Sequence, residues 1–458
     1  MKKQKLFLVV SLAVICVFIA TWYFIGCPPL KSCPFRKPQQ DVKKIVNLTF
    51  IGPWDNVKDW QEIALKFNMF KKKAENGGLD VNVKYEKIKD PINYEDIIAE
   101  RQFEDKGPNI FMVFQSWIPR YKNKILPAPK DIINPKEFED TFAQVAKDDL
   151  VSEDDKIYAI PFYVDTLGLY YNKDMFFSAG IIKPPETWEE FKNYTERLTI
   201  RDERGNIVRA GAAFGSGSLI NRSTDIIMLL IMQNNVSNPE NLKNISSLNT
   251  PEAVAAVKFY TDFTDPQKRF YTWNEDQIYS IDAFTSRKAA MMINYSYHIG
   301  NVINKTSGTL NLGTAPIPQL DINNKINYAS YWVPVVAKKS YCRVSAEAKN
   351  VDCYHLAWEF LKFAADKKNV YLYLDSVKMP AANLEVANKQ EMDYSDLRNA
   401  FSSQVSTAKS WFHPYDSTSD KILENMIDSI ITNDINKKQT TQEAVSSATK
   451  SIEALNYQ

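Results

Sequence analysis

The segment 157–199, IYAIPFYVDTLGLYYNKDMFFSAGIIKPPETWEEFKNYTERLT, constrains the fold of this chain more than any other stretch. It opens on a hydrophobic run interrupted by Pro161. A second run, LGLYYNKD, is rich in the aromatic and branched residues that suit a pleated, half-buried surface. A short amphipathic piece then meets the breaker Pro184-Pro185, and Thr187 stands three residues before Glu190. That spacing is a capping box: the threonine hydroxyl takes a first-turn N–H while the glutamate reaches back. The expected order is strand, turn, strand, breaker and capped helix.

Upstream, KIVNLTFIG reads as a first strand ending at Gly52-Pro53, and 57–73 carries Trp60, Ile63, Ala64, Phe67 and Phe70 at helical spacing. VNVKYEKI alternates as a second strand, a helix starts near Ile92, and Gly107-Pro108 leads into NIFMVF as a third strand. Strand–helix–strand–helix–strand is a parallel α/β layout. Downstream, Thr250 with Pro251 marks a capped helix start before AVAAVKFYTDF. A chain of 458 residues exceeds one small core and fits two or three domains.

The residue order carries more than this periodicity. The string IPFYVDTLGLYYNKDMF, followed by PPETWEEF, closely resembles the hinge region of extracellular solute-binding proteins of ATP-binding cassette importers. The resemblance is to the carbohydrate-type, maltose-binding-protein-like family. Ala283–Asn294 is similar to a second family string, with Arg287 where relatives carry glycine. Ala315-Pro-Ile-Pro318, the run from Tyr331, the helix from Ala357 to Asp366 and the turn at Lys378–Ala381 resemble later landmarks. Asn109 replaces the usual aspartate of the turn before the third strand, and Ala381 and Ala382 leave a basic residue missing. The resemblance implies an α/β, two-lobed periplasmic-binding-protein-like fold of type II. Each lobe would be a mixed sheet flanked by helices, with three hinge crossings near Tyr163, Tyr328 and Pro380. Lobe one would hold 45–162 with 329–380, and lobe two 163–328 with 381–458. The implied function is capture of a small-molecule solute, a carbohydrate, between the lobes and delivery to ABC permease subunits by a monomer.

The N-terminus sets the compartment. Lys2, Lys3 and Lys5 precede Leu6–Ile25, an uncharged run long enough to cross a bilayer core of about 30 Å. The positive flank places everything after Cys27 outside the cytoplasm. Residues 1–27 are expected to act as an uncleaved anchor, a lipoprotein signal ending at a lipidated Cys27, or a cleaved signal for secretion, and 28–44 as a tether. Of the five cysteines, Cys16 lies in the apolar run, Cys27 and Cys33 can pair unless Cys27 is lipidated, and Cys342 and Cys353 can close a polar stretch as a disulfide. No cysteine–histidine spacing suggests zinc, and three dispersed histidines argue against a metal centre. With Lys+Arg 56 against Asp+Glu 55, no basic field attracts nucleic acid.

A sugar site needs flat apolar faces and hydroxyl partners, and open α/β sheets put ligands at the carboxyl ends of strands. Trp54 and Asp55 follow the first strand; Gln115, Ser116 and Trp117 follow the third. Asn294, Tyr295 and Tyr297 end the Met-Met-Ile strand, and Tyr331 with Trp332 opens the strand returning to lobe one. Tyr163 lies in the hinge; the family resemblance makes Asp165 the hinge acid and Trp411 with Phe412 an aromatic lid. Each has a bland alternative: core aromatics, a turn cap at Asp165, and an N-cap for the next helix at Asp55. Trp60, Trp188, Trp273 and Trp358 are assigned to packing. No nucleophile elbow, phosphate loop or zinc-protease motif is present, no cofactor is implied, and Gly215–Ser218 reads as a flexible turn. A glycoside hydrolase with two clefted carboxylates, or a tethered sensory or adhesion module, are the alternatives.

Overall fold

The computed structural model describes residues 43–103, 107–234, 248–339, 342–393, 395–411 and 416–455. The expected N-terminal anchor, Cys27 and Phe412 lie outside them. Among the described residues no helix is long and apolar enough to cross a membrane. The described residues form thirteen strands: β1 Lys44–Gly52, β2 Leu79–Lys87, β3 Ile110–Phe114, β4 Ile125–Leu126, β5 Asp165–Asn172, β6 Ile200–Arg201, β7 Ile207–Ala213, β8 Ala289–Tyr295, β9 Leu312–Ala315, β10 Asn327–Ser330, β11 Trp332–Ala337, β12 Arg343–Val344 and β13 Ala408–Lys409.

Two mixed sheets result. The first runs β12-β1-β3-β11-β4, with β2 parallel along β1 from Lys44 opposite Leu79 to Gly52 opposite Lys87. Alternation in β2 puts Val81, Val83 and Tyr85 inside and leaves Asn82 and Lys84 out, as a sheet with one solvated face requires. The helix Val57–Lys71 covers the inner face through Trp60, Ile63 and Phe67. The second sheet runs β13-β10-β5-β8-β7-β6, with β9 on β5. Its central strand β5 is almost wholly buried, which explains why LGLYYN reads as a continuous apolar run rather than an alternating one. The capped helix Trp188–Leu198 packs on this sheet. Glu190 N–H donates to Thr187 Oγ1 at 3.2 Å, and the Glu190 carboxylate accepts from Glu186 N–H at 2.7 Å.

Each sheet has its own core. One buried cluster gathers residues from Val46 to Val164 and from Ala329 to Ala387; the other runs from Leu167 to Tyr328 and takes most of the buried residues from Ala400 on. Between them the chain crosses in adjacent segments. Asp165 and Thr166 pair antiparallel with Ser330 and Ala329. On the other side Val164 N–H donates to the Pro380 carbonyl at 3.1 Å, and Ala382 N–H to the Phe162 carbonyl at 3.2 Å. Beyond Pro380, Ala381, Ala382, Val386 and Ala387 pack in the first cluster, as do Val405 and Ala408, whereas Leu397, Ala400 and Trp411 join the second.

Two local readings also change. Residues 157–164, expected as a strand, are buried but make only isolated bridges at Ile157 and Tyr163. Pro161 has no N–H for a ladder, so the stretch crosses as irregular backbone. Arg287, expected to alter its turn, takes the left-handed φ of 63° itself. Its guanidinium donates to the Thr309 carbonyl and Oγ1, both at 2.9 Å.

Cys342 and Cys353 are joined by a disulfide with Cα atoms 6.2 Å apart. It ties the start of the helix Cys353–Ala365 to the edge strand β12, which pairs with β1. Breaking it by Cys342→Ser is expected to cost about 2 kcal/mol, the scale for closing a short loop. Urea denaturation of the two forms measures this; equal midpoints would show that the bridge adds nothing.

Candidate functional site

The hinge segment 163–165 holds groups from both lobes. From the first lobe, the backbone N–H of Trp332 donates to the Tyr163 hydroxyl at 3.3 Å. Two residues on, Asp165 turns to the second lobe. Its Oδ1 accepts the N–H groups of Thr166 at 2.9 Å and Ser296 at 3.0 Å, and its Oδ2 that of Tyr297 at 3.3 Å. Burial of this carboxyl pushes its pKa up to about 7, against the opposing pull of the Ser296, Tyr297 and Thr166 amides. Asp165 is 2% exposed. It therefore orients the end of β8 rather than presenting a carboxylate to solvent.

On the first lobe the aromatic surface gathers around Trp332. Its ring meets Trp117 edge-on at 5.2 Å, with Phe114 at 5.9 Å and Tyr94 at 5.7 Å. Trp117 is half-buried, stacked against Tyr121 at 6.0 Å, with the Arg120 guanidinium 5.1 Å from its ring. Trp54, at the end of β1, is 55% exposed. Asp55 beside it does not cap the following helix; Asn56 does, accepting from Lys58 N–H at 3.1 Å. Asp55 instead accepts from Trp60 Nε1 at 3.0 Å and the Tyr373 hydroxyl at 2.9 Å. Burial raises its pKa despite those two bonds. Gln115 and Tyr331 are buried and exchange bonds at the strand ends: Tyr331 N–H donates to Gln115 Oε1 at 3.2 Å, and Gln115 N–H to the Tyr331 carbonyl at 3.1 Å. The Tyr331 hydroxyl donates to Asp149 at 2.6 Å. Ser116 is buried too.

On the second lobe the rings of Tyr295 and Tyr297 stack at 5.9 Å with planes 15° apart. Tyr295 is buried, whereas Tyr297 is 36% exposed. The helix Ser223–Asn234 and the residues just before it frame them. Asp225 accepts from the Tyr295 hydroxyl at 2.8 Å, and Arg222 donates from Nε and Nη2 to the Tyr297 hydroxyl at 3.2 and 2.8 Å. Asn221 accepts from Asn294 at 2.9 Å and donates to the Tyr279 hydroxyl at 2.6 Å. Asn221, Arg222 and Tyr279 were absent from the sequence-based candidates. Trp411, expected as a lid, is 1% exposed and packs in the second core.

The family model for bacterial extracellular solute-binding proteins matches residues 54–371. The chain belongs to that family. A maltotriose-binding protein of Pyrococcus abyssi is 24% identical over 306 residues, 66% of this chain and 61% of that protein. A maltodextrin-binding protein of Bacillus subtilis is 27% identical over 273 residues, 56% of this chain and 58% of the other. A putative binding protein of Brucella abortus is 26% identical over 206 residues, covering 44% and 47%. The chain thus spans about half the length of the curated relatives it matches. Among solved structures, a cyclic α-maltosyl-1,6-maltose binding protein from Arthrobacter globiformis superposes with a TM-score of 0.68 at 16% identity, over 90% of this chain and 98% of that one. A cyclo/maltodextrin-binding protein complexed with maltotetraose gives 0.67 at 17% identity, over 89% and 96%. At such identities the likeness establishes the fold: two lobes of the type II periplasmic-binding-protein kind.

Proposed function

We propose that this protein captures a carbohydrate between its lobes outside the cytoplasm and hands it, unaltered, to an ABC permease. The observation that carries the reading is the hinge segment itself. Tyr163 holds the Trp332 backbone of one lobe and Asp165 the Tyr297 backbone of the other. A ring bound against Trp332 and Tyr297 would therefore contact both lobes beside their pivot. Ligand that touches both lobes stabilises the closed arrangement by its differential affinity for it. Trp54, Trp117, Trp332 and Tyr297 supply the flat apolar faces; Asn221 and the Tyr279 hydroxyl supply hydroxyl partners. The names of the relatives, binders of maltotriose and maltodextrin, support an α-glucan as the first solute to try.

The hydrolase alternative asks for two carboxyl groups poised over one glycosidic bond. Asp55 is committed to Trp60 and Tyr373, and Asp165 to backbone amides, so neither supports it. Attachment to the membrane, through Leu6–Ile25 or a lipidated Cys27, belongs to the same proposal; intact-mass analysis of membrane-extracted protein separates the two.

Titration calorimetry against maltose, maltotriose and maltotetraose tests capture. Small-angle scattering tests closure: the radius of gyration is expected to shrink on saturation. Binding without shrinkage would remove the hinge mechanism, and sugar recovered chemically changed would replace capture by catalysis.

A further inference from the structure

Arg222 breaks two local rules at once. Its carbonyl accepts the Ile226 N–H at 3.0 Å and so opens the helix Ser223–Asn234, a position that favours Ser, Thr, Asp, Asn or Gly. Its φ is 63°, the left-handed region that a bulky L-residue enters only under strain. Such departures persist where the surroundings over-determine them, and they concentrate at functional sites. Here the surroundings are tyrosines. The guanidinium carbon lies 5.6 Å from the centre of the Tyr295 ring and 5.9 Å from that of Tyr297. Two of its N–H groups converge on the Tyr297 hydroxyl. On either side, Asn221 holds the Tyr279 hydroxyl and Asp225 the Tyr295 hydroxyl. One five-residue segment thus grips three tyrosines that arrive from two other parts of the chain.

We infer that Arg222 is a positioning residue of the solute cleft: held in a strained left-handed backbone, it locks the half-exposed ring of Tyr297 in the orientation that a sugar stacks on. The inference rests on the proposed solute-binding function. The strain and the lock oppose one another, which makes the role distinguishable from ordinary structural support. Glycine adopts the left-handed region without penalty and is an acceptable helix cap. Removing the side chain should therefore relieve strain while releasing the ring. Lysine keeps the charge but cannot direct two converging donors at one oxygen.

The test uses the full chain, with maltotetraose as probe and 3-fluorotyrosine placed at position 297 alone. For Arg222→Gly the expected result is an affinity for maltotetraose lowered about 10-fold or more, a Tm at or above that of the parent, and a fluorine resonance moved towards that of a freely rotating tyrosine. Arg222→Lys should follow Arg222→Gly in affinity and resonance. Retained affinity in both variants, or a Tm that falls together with affinity, would overturn the inference. If the parent protein fails to bind maltotetraose, that failure counts against the proposed solute, and the fluorine signal alone decides on Arg222: a displaced resonance supports the lock, an unchanged one refutes it.

Discussion

Trp332→Ala is expected to weaken binding of maltotriose by about 30- to 1,000-fold, a loss of roughly 2–4 kcal/mol of the kind seen for buried aromatic anchors. The size follows from what holds the ring. Trp332 is wedged among Trp117, Phe114 and Tyr94, and its backbone is fixed to Tyr163 in the hinge. A rigid indole loses little entropy when a sugar stacks on it, so most of its contact area becomes affinity. Truncation removes that face and leaves a gap beside the pivot. Trp188→Phe should behave oppositely. That ring is buried in the second core and its Nε1 donates to the buried Gln233 Oε1 at 2.6 Å. Its loss strands the amide oxygen and lowers folding stability, while affinity of the folded protein stays near the parent value. Trp411→Phe should fall with Trp188, because Trp411 is also buried in that core. Calorimetry and urea denaturation on the same three variants separate the two classes. Normal binding by Trp332→Ala would mean that the solute lies elsewhere.

Asp165 should contribute a fall in folding stability as pH rises from about 4 to about 7, opposed over most of that window by His298, whose pKa burial pushes down to about 4. The Asp165 carboxyl has a pKa of 3.8 in the unfolded chain, pushed up to about 7 by burial in the fold. Between those values the native state holds a proton that the unfolded state has released. The Asp165 contribution therefore declines with rising pH across that window and levels off above it; below the unfolded value the penalty is absent. A shift of this size corresponds to roughly 4 kcal/mol at neutral pH. Asp165→Asn removes the titration. Its amide oxygen can still accept from Thr166 and Ser296, but its NH2 group opposes the Tyr297 N–H, so the variant starts from a fixed deficit that does not vary with pH. Urea denaturation of both proteins at intervals between pH 4 and 8 should give converging stabilities as pH rises. Parallel curves would show that the three amides keep Asp165 ionised throughout.

Much of the local architecture was legible because it depends on neighbours in sequence. The Thr187 cap, the Thr250 cap and the strand β1 ending at Gly52 follow from hydroxyl spacing, an imino ring and alternation. The two caps are bonds made within a few residues, and β1 shows in its own burial pattern although its ladders run to distant strands. The burial of Trp60, Trp273 and Trp358 followed from helical or turn patterns in the same way. The site was legible only in part. The strand ends that carry Trp54, Trp117, Tyr297 and Trp332 were identified, since chain order places them after apolar runs. Which side chain at each end meets solvent was not. Tyr295 and Tyr297 stand two residues apart and look alike in sequence. One is buried and the other half-exposed, because Asp225 and Arg222 arrive from about 70 positions away. Residues 157–164 look like a strand yet cross between lobes: they bond to the Pro380–Ala382 segment only through an isolated bridge, and Pro161 has no N–H to extend it into a ladder.

The sequence alone determined an α/β chain, a Thr187-capped helix, and a string that resembles sugar-capturing relatives; the division into two lobes was what that resemblance implied. The first two rest on hydrophobic periodicity and short-range hydrogen bonding, which are written in consecutive residues. Only the tertiary structure decided that Asp165 faces amides rather than solvent, that Trp411 is core rather than lid, and that Arg222 holds the Tyr297 hydroxyl. Each of those depends on which distant backbone or ring occupies the space beside a side chain, and no local pattern encodes that space.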